Sequence, residues 1–397
     1  MDQLNYTNTF EINDELEEVL SERENNKKSI ITFSRLNKYF LIPFLYPVFG
    51  VLRNIFKDLV VESKVINNSK LFYSISIDLS YIFAGLFYFI PYFKTNFNKK
   101  NNQDSIYIYN KVKIDKCKSC KIIMFIISLS IINISQDFIS IFIDYNKVFE
   151  KSICDLFFIP LFSKIILKEN IYKHNYFSLI ISIIGVIFLL IPFCLQISIN
   201  DIISNILNFI NGIFYSLFVV IVKYMIEKYY MHPLKICLLV GIIILFFECI
   251  IFLIYSLIKY NNLSYFNDCF DFSKVQNKFA IIIYIILYIL FCISLKLLGF
   301  LLLFYFSPTL IIITSMISPF IYWIVQSIKN KVEILDAVLY PIGSLILIFS
   351  SLIYNEIIIL NFCGLNNNTK KFVNQRLDKE VEKINKDKDD LLSEKEN

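Results

Sequence analysis

Several long apolar runs of this sequence are interrupted by single polar or charged residues, and these are the residues that could do chemistry. Glu248 is the most isolated, in the middle of a run of Ile, Leu and Phe, and Gln136 and Asp137 lie beside Asn133 in another run. Such groups can hydrogen-bond a polar substrate or bind a proton, or they can clamp helices together without any ligand. Glu248 could equally pair with a base such as Lys296 or with a neighbouring hydroxyl.

A second group of charges lies at helical spacing. It consists of Asp144, Lys147, Lys151 and Asp155, at offsets 0, 3, 7 and 11. This spacing places the four side chains along one face of a helix, with acids and bases close enough to pair. Lys147 and Lys151 could bind an anionic substrate. The alternative is a helix end at the membrane surface whose charges pair with one another.

Two stripes of uncharged polar residues follow the helical period. The first stripe is Ser307, Thr314, Ser318 and Tyr322, at offsets 0, 7, 11 and 15. The second stripe is Ser204, Asn208, Asn211 and Tyr215, at offsets 0, 4, 7 and 11. Each stripe occupies one helix face, so the pair suits a cavity lined from both halves of the chain. Polar packing between helices is the alternative. Asp78, with Ser74 and Tyr81, forms a weaker version of the same pattern.

Residues for metal binding or catalysis are sparse. Cys117 and Cys120 form a lone CxxC in a basic loop, and the only histidines, His174 and His232, fall in predicted loops. A zinc site needs a second cysteine pair or nearby histidines, and an enzyme needs a nucleophile with a base or a metal. The sequence also has no GxxxxGK[ST] run for an ATP-driven pump. We therefore predict no catalytic residue, no metal and no cofactor.

The elements that must position these residues are membrane helices. Of the 397 residues 56% are hydrophobic and only 18% are charged, with a mean hydropathy of +0.58, a balance that would leave a soluble protein with apolar surface it could not hide. Apolar windows of about 20 residues predict an all-α, polytopic protein. We expect ten transmembrane helices, at 39–59, 71–93, 121–143, 147–167, 175–195, 202–224, 235–258, 278–299, 300–326 and 334–360. The eighth and ninth run together around Gly299.

A helical hairpin recurs in the two halves of the chain, at 147–192 and at 305–356. Each copy has a proline late in its first helix, a turn with Lys and Glu, and an Ile-Gly pair in its second helix. The proline-to-glycine distance is 25 positions in the first copy and 24 in the second. Internal duplication into repeats 39–200 and 201–360 explains this pattern. Chance likeness between Ile-rich helices is the alternative.

The distribution of lysine predicts the orientation. The loop 94–121 and the charged ending 361–397 are rich in Lys, so we place both on the cytosolic side, together with a disordered acidic tail at 1–38. Asn67 and Asn262 begin glycosylation sequons on the opposite side. The basic residues flank membrane segments, and a nucleic-acid site is not predicted.

Short motifs along residues 40–360 resemble the drug/metabolite transporter superfamily. They are ILKE at 166–169 before a helix with Ile184-Gly185, MHPLK at 231–235, FSPTL at 306–310, Trp323 sixteen positions beyond Ser307, and IYNE at 353–356. The pattern is most similar to solute carrier family 35, subfamily F-like members, and more distantly to the chloroquine resistance transporter group. It departs from the latter in the loop between helices seven and eight, which offers only Cys269.

The resemblance implies ten helices in two inverted five-helix repeats, cytosolic termini and a central substrate cavity. It also implies passage of a small polar metabolite, such as a nucleotide sugar, across an organelle membrane. We expect a secondary transporter for a small polar or amphipathic molecule, embedded in a lipid bilayer, with a homodimer left open. A non-transporting membrane adaptor or receptor is the alternative, and a membrane enzyme is a third hypothesis.

Overall fold

The computed structural model describes residues 41–63, 69–89, 116–142, 152–195, 199–260, 278–329 and 334–361, with isolated positions from 365 to 379. Within this part of the chain all regular structure is helical and no strand occurs, which confirms the predicted fold class. The helices are α1 (Leu41–Glu62), α2 (Ser69–Leu86), α3 (Lys116–Phe142), α4 (Ser152–Phe162), α5 (Lys173–Leu195), α6 (Ile199–Lys228), α7 (Pro233–Tyr260), α8 (Lys278–Tyr305), α9 (Pro308–Lys329) and α10 (Ile334–Tyr354).

Seven of these helices are long and apolar enough to cross a membrane: α2, α3 and α5 to α9. The chain is therefore a helical, membrane-embedded protein. Helix α1 carries Arg53, Lys57, Asp58 and Glu62, and α4 has only 11 residues before a turn of π-helix at 163–167. The apolar part of α10 is also shorter than a typical span. A count of ten transmembrane helices thus remains a prediction.

The predicted boundary between the eighth and ninth helices is wrong. Helix α8 runs through Gly299 to Tyr305, and the break lies at Phe306 and Ser307. Helix α9 then begins at Pro308, where the missing N–H of proline costs nothing. The Ser307 hydroxyl hydrogen-bonds to that of Thr309 at 2.7 Å. Hydropathy does not reveal this break, because the apolar run of Leu and Phe continues on both sides of Gly299.

Three other helix ends carry a non-glycine residue in the left-handed region: Lys168 after the π turn, Tyr230 after α6 and Glu356 after α10. This conformation commonly closes helices. At its start α3 is longer than predicted, so Cys117 and Cys120 belong to its first turns rather than to a loop. Likewise His174 is the second residue of α5, not a loop residue.

The helix packing has a regular pattern. Three contacts each have a counterpart between the corresponding helices of the other half. The contact of α1 with α8 corresponds to that of α6 with α3, the contact of α4 with α6 to that of α9 with α1, and the contact of α2 with α8 to that of α7 with α3. Three further pairs are α2 with α7, α4 with α9, and α5 with α10. Exchanging the first five helices with the last five, in order, returns the same set of pairs.

Glycines bring two of these pairs into close contact. A Cβ added at Gly85 of α2 would lie 2.6 Å from the backbone of Leu238, and one at Gly241 of α7 would lie 2.8 Å from Tyr81 Cβ and 3.0 Å from Ile82. The contacts are reciprocal, since Gly85 and Gly241 differ by 241 − 85 = 156 positions and Ile82 and Leu238 by 238 − 82 = 156.

The pair of α5 and α10 repeats this arrangement. A Cβ at Gly185 would meet Leu347 at 2.9 Å, and one at Gly343 would meet Leu189 at 2.8 Å. Both offsets are 158 positions, because 343 − 185 = 158 and 347 − 189 = 158. The glycines of the two predicted Ile-Gly pairs therefore meet each other directly. Small residues allow such close backbone approach in membrane proteins.

The apolar core is formed mainly by α6, α7, α8 and α9, with further side chains from α2, α3, α4 and α10, and it includes Val220, Ile244, Leu302 and Ile312. The outward faces keep large apolar side chains exposed, such as Phe246. Lipid is as apolar as leucine, so burial alone gives little preference for helix association. The polar contacts between helices therefore contribute strongly to the specificity of the packing.

Candidate functional site

Four ionisable side chains converge where α2, α3, α7 and α8 meet: Asp78, Asp137, Glu248 and Lys296. We refer to them as the ionisable cluster. Asp78 is fully buried and Glu248 is 6% exposed, while Asp137 is half-buried. One carboxylate oxygen from each of the three acids lies within 4.8 Å of the others. The ammonium of Lys296 is within electrostatic range of Asp78 and Asp137.

A hydrogen-bond network fixes the acids. The Ser74 hydroxyl donates to Glu248 Oε1 at 3.1 Å. The amide nitrogen of Asn133 donates to Asp78 Oδ1 at 3.5 Å and to Asp137 Oδ2 at 3.4 Å. The Tyr81 hydroxyl donates to the amide oxygen of Asn133 at 3.1 Å. Since a hydroxyl proton points at that oxygen, the NH₂ group of Asn133 must face the carboxylates.

Lys296 lies against an aromatic ring rather than in a direct salt bridge within the described residues. Its Nζ is 3.7 Å from the centroid of the Tyr81 ring, the geometry of a cation–π contact. Of the two partners considered for Glu248, the structure shows a neighbouring hydroxyl, that of Ser74, and no salt bridge with Lys296 within the described residues. Two carboxylate oxygens, Asp78 Oδ2 and Glu248 Oε2, are buried and receive no hydrogen bond from the described residues.

Chemically, the ionisable cluster offers buried acceptors that are not fully satisfied. Buried carboxylate oxygens without a donor are costly and need an explanation such as a bound ion or proton. The three acids could together hold a cation, whereas the histidines and the CxxC, which we considered at the sequence level, do not converge on this site.

A second polar contact joins the two halves beside this cluster. Gln136 of α3 donates to the side-chain and backbone oxygens of Asn211 on α6, both at 3.1 Å. Two predicted site residues are thus brought together. Asn208 is also buried on α6. One turn beyond Asn211 on α6, the Ser216 hydroxyl donates to Asp155 of α4 at 3.0 Å.

The polar stripe of α9 faces α1. Thr314 and Ser318 are buried, and Thr314 hydrogen-bonds to the carbonyl of Ile311 in its own helix at 2.9 Å. Ser318 lies against Gly50 of α1. The Tyr322 hydroxyl donates to the Asp58 carboxylate, also on α1. The stripe therefore lines the contact between α9 and α1.

Lys147 and Lys151, with Asp144, lie outside the described residues. His232 packs between the rings of Tyr88 and Phe304, with centroid distances of 5.2 and 6.0 Å. Burial lowers the pKa of His232 below its ordinary value, and its Nδ1 accepts from the backbone N–H of Leu234 at 3.3 Å. Both features favour a neutral, structural imidazole.

Sequence reasoning gave too little weight to Asp78 and Lys296. Asp78 lies in a helix rich in Ser and Tyr, where an acid stands out less than Glu248 does in its apolar run. Lys296 is the one charge inside the long apolar run of α8 after Lys278. That isolation is the same signal that identified Glu248 and could have identified Lys296.

The fold and the ionisable cluster together define a class: a helical membrane protein with a charged, hydrogen-bonded site between its helices. In comparison with known proteins, no protein-family model matches the chain, and no curated protein matches it.

Proposed function

We propose that this protein is a secondary transporter that moves a small polar or amphipathic metabolite by alternating access. The observation that carries the proposal is the ionisable cluster, which lies between helices of the two halves: Asp78 and Asp137 come from the first half, and Glu248 and Lys296 from the second. A charged residue in a membrane helix costs about 2.5–3.5 kcal/mol on insertion scales, so such residues mark ligand and ion pathways. Four of them in one place are best explained by function.

The packing pattern supports two inverted five-helix repeats. A two-fold axis in the membrane plane would exchange α1–α8 with α6–α3 and would map α2–α7, α4–α9 and α5–α10 onto themselves. The reciprocal glycine contacts at nearly constant offset support the same relation. In transporters built this way, the substrate binds at the interface of the repeats, and rocking of one repeat against the other exposes the site to each side.

The drug/metabolite transporter superfamily remains the best family hypothesis, on the basis of the short motifs. A nucleotide-sugar-like solute, an endomembrane or organelle membrane and cytosolic termini belong to this proposal. Gln136, Asn208 and Asn211 are proposed as further substrate contacts beside the ionisable cluster. Thr314, Ser318 and Tyr322 are proposed to support the cavity from α9, and Lys147 and Lys151 remain predicted contacts for an anionic substrate.

The competing function is a non-transporting membrane adaptor or receptor. The tight glycine contacts of α2 with α7 and of α5 with α10 favour it, because they would also suit a rigid scaffold. A scaffold gives no reason for two buried carboxylate oxygens without donors in the same place, and this favours the transporter.

Ligand-induced stabilisation tests the proposal. The purified protein is heated in detergent with nucleotide sugars, amino acids, short peptides or cationic amphiphiles. A ligand at 100 times its Kd stabilises the fold by about 2.7 kcal/mol, so one chemical class should raise the unfolding temperature. Gln136→Ala should abolish this increase, while Ser128→Ala, at an exposed position of the same helix, should retain it. Stabilisation by none of the four classes would favour the adaptor.

A further inference from the structure

We propose that Asp78 and Glu248 bind a single shared proton, and that this proton is the coupling ion of the transporter. The role in coupling rests on the proposed function, but the proton site itself is defined by contacts that do not depend on any substrate. It lies between α2 and α7, one of the three helix pairs that the exchange of halves leaves unchanged.

The first argument is the geometry of the two acids. One carboxylate oxygen of Asp78 lies within 4.8 Å of one of Glu248, and both side chains are more than nine-tenths buried. Each keeps one oxygen, Asp78 Oδ2 and Glu248 Oε2, that receives no hydrogen bond from the part of the chain that the structure describes. Two carboxylates this close repel each other when both are ionised. One proton converts them into a carboxylic acid that donates and a carboxylate that accepts, as in other close carboxyl pairs.

The second argument concerns the neighbours, which are arranged for a proton rather than a metal ion. A metal held by three carboxylates needs their oxygens to turn toward one point at about 2.0–2.6 Å. Here Asn133 directs its NH₂ group at Asp78 and Asp137, and Ser74 directs its hydroxyl at Glu248. The Lys296 ammonium also acts electrostatically on Asp78 and Asp137. A fixed positive charge repels a divalent metal ion more strongly than a single proton, and this favours the proton.

The charge balance of the site also suits a single mobile proton. The titratable groups around Asp78 include Tyr81 of its own helix, Asp137 from α3, Glu248 from α7 and Lys296 from α8. Cys237 of α7 and Cys292 of α8 lie within range of Lys296. Lys296 supplies one positive charge against the three carboxylates of Asp78, Asp137 and Glu248. A single proton shared by Asp78 and Glu248 then leaves one excess carboxylate charge instead of two. When the proton is lost, two adjacent negative charges remain in a buried site. Their repulsion strongly favours a rearrangement of the helices that carry them.

Infrared spectroscopy of the full-length protein in liposomes tests this inference without a substrate. We expect a carboxylic-acid C=O band that disappears as the pH is raised. Asp78→Asn and Glu248→Gln should each abolish that band, since each removes half of the pair. Asp155→Asn is the matched control. Asp155 is also a buried acid, but it lies on α4 and accepts a hydrogen bond from Ser216 on α6, away from the pair. This variant should leave the band of the pair intact.

Ser74→Ala gives a second variant that keeps both acids. It removes the hydroxyl donor to Glu248 and should shift the pH at which the band disappears, so the inference stays testable if an amide variant does not fold. A band that survives in both amide variants, or the lack of any titrating band, would overturn the proposal. Loss of the carboxylic-acid band when Mn²⁺ or Zn²⁺ is added at constant pH would overturn the proposal in favour of a metal site. A transporter without this proton site would still show ligand stabilisation, so the two proposals fail separately.

Discussion

Tyr81 organises the ionisable cluster through three different groups. Its hydroxyl donates to Asn133 at 3.1 Å, its ring faces the Lys296 ammonium at 3.7 Å, and its carbonyl accepts a hydrogen bond from the Cys237 thiol at 3.2 Å. The hydroxyl thereby orients the amide that holds Asp78 and Asp137. One aromatic residue connects all four helices that surround the site.

Replacement of Tyr81 by Phe should separate these roles. The ring and its contact with Lys296 remain, while the buried amide oxygen of Asn133 loses its donor, which costs about 1–3 kcal/mol. The unfolding temperature in detergent should fall, and it should not fall for Tyr230→Phe, because Tyr230 is 58% exposed. Equal behaviour of the two variants would contradict the assigned network.

At the level of single residues, the sequence shows which polar residues are isolated in apolar runs, but not which of them meet in the folded protein. Glu248, Gln136 and Asp137 stand out because each interrupts an apolar run, and Asn211 because of its helical spacing. That Asp137 would meet Asp78 and Glu248 depends on which helices cross, and this is a property of the tertiary packing. The same limitation hid the cation–π contact of Lys296.

At the level of elements, the break between α8 and α9 is held by a buried lysine. Lys223 of α6 is 5% exposed, and its Nζ donates to the carbonyls of Leu303 at 2.9 Å and Phe306 at 2.8 Å. Carbonyls at the end of a helix have no partner within the helix, and a cation there also interacts favourably with the helix dipole. Glu227 lies 3.4 Å from the same ammonium.

Lys223→Met should therefore destabilise the protein although it adds an apolar side chain to an apolar environment. Loss of hydrogen bonds from a charged group costs about 1.5–3 kcal/mol, measurable by thermal unfolding. Lys228→Met removes a lysine from the exposed end of the same helix and should be nearly neutral. A stabilised Lys223→Met variant would show that α8 and α9 do not need this contact.

The crossing of α2 with α7 gives a sharper prediction. Gly85→Ala would place a Cβ 2.6 Å from backbone atoms of Leu238, which cannot rotate away. Overpacking of this kind costs about 1–3 kcal/mol, against a gain of up to about 1 kcal/mol in helix propensity. Gly299→Ala meets only Tyr46 Cε2 at 3.4 Å and should be neutral or stabilising. If both variants unfold at the same temperature as the wild type, the close crossing is wrong.

Element positions were predictable where hydrophobic runs are bounded by charge, and not where one run continues into the next. Helix α5 lies close to its predicted position because charged residues flank it, whereas α10 begins as predicted but ends at Tyr354, six residues before the predicted end at 360. At α8 and α9 the run has no polar boundary, and the better signal was Ser307-Pro308, a common helix start. The recurring Ile-Gly pair predicted a duplication, and the structure adds that the glycines of the two pairs meet.

At the level of the whole molecule, lysine distribution predicts the orientation. An engineered glycosylation acceptor near Lys111 should stay unmodified in microsomes, because the Lys-rich loop is expected to be cytosolic. An acceptor near Asn262 should be modified. The two sites serve as each other's control in otherwise identical chains, and the reverse pattern would invert the predicted topology.

Counterflow into liposomes that contain the purified protein tests the transporter proposal most directly. The liposomes are loaded with one solute of the class that stabilises the fold, and uptake of the labelled solute is followed. We predict saturable uptake that falls at least tenfold in Glu248→Gln and stays near the wild-type rate in Ser294→Ala, at an exposed position of α8. Folded wild-type protein that binds the solute but gives no uptake would contradict the transporter account and identify a receptor.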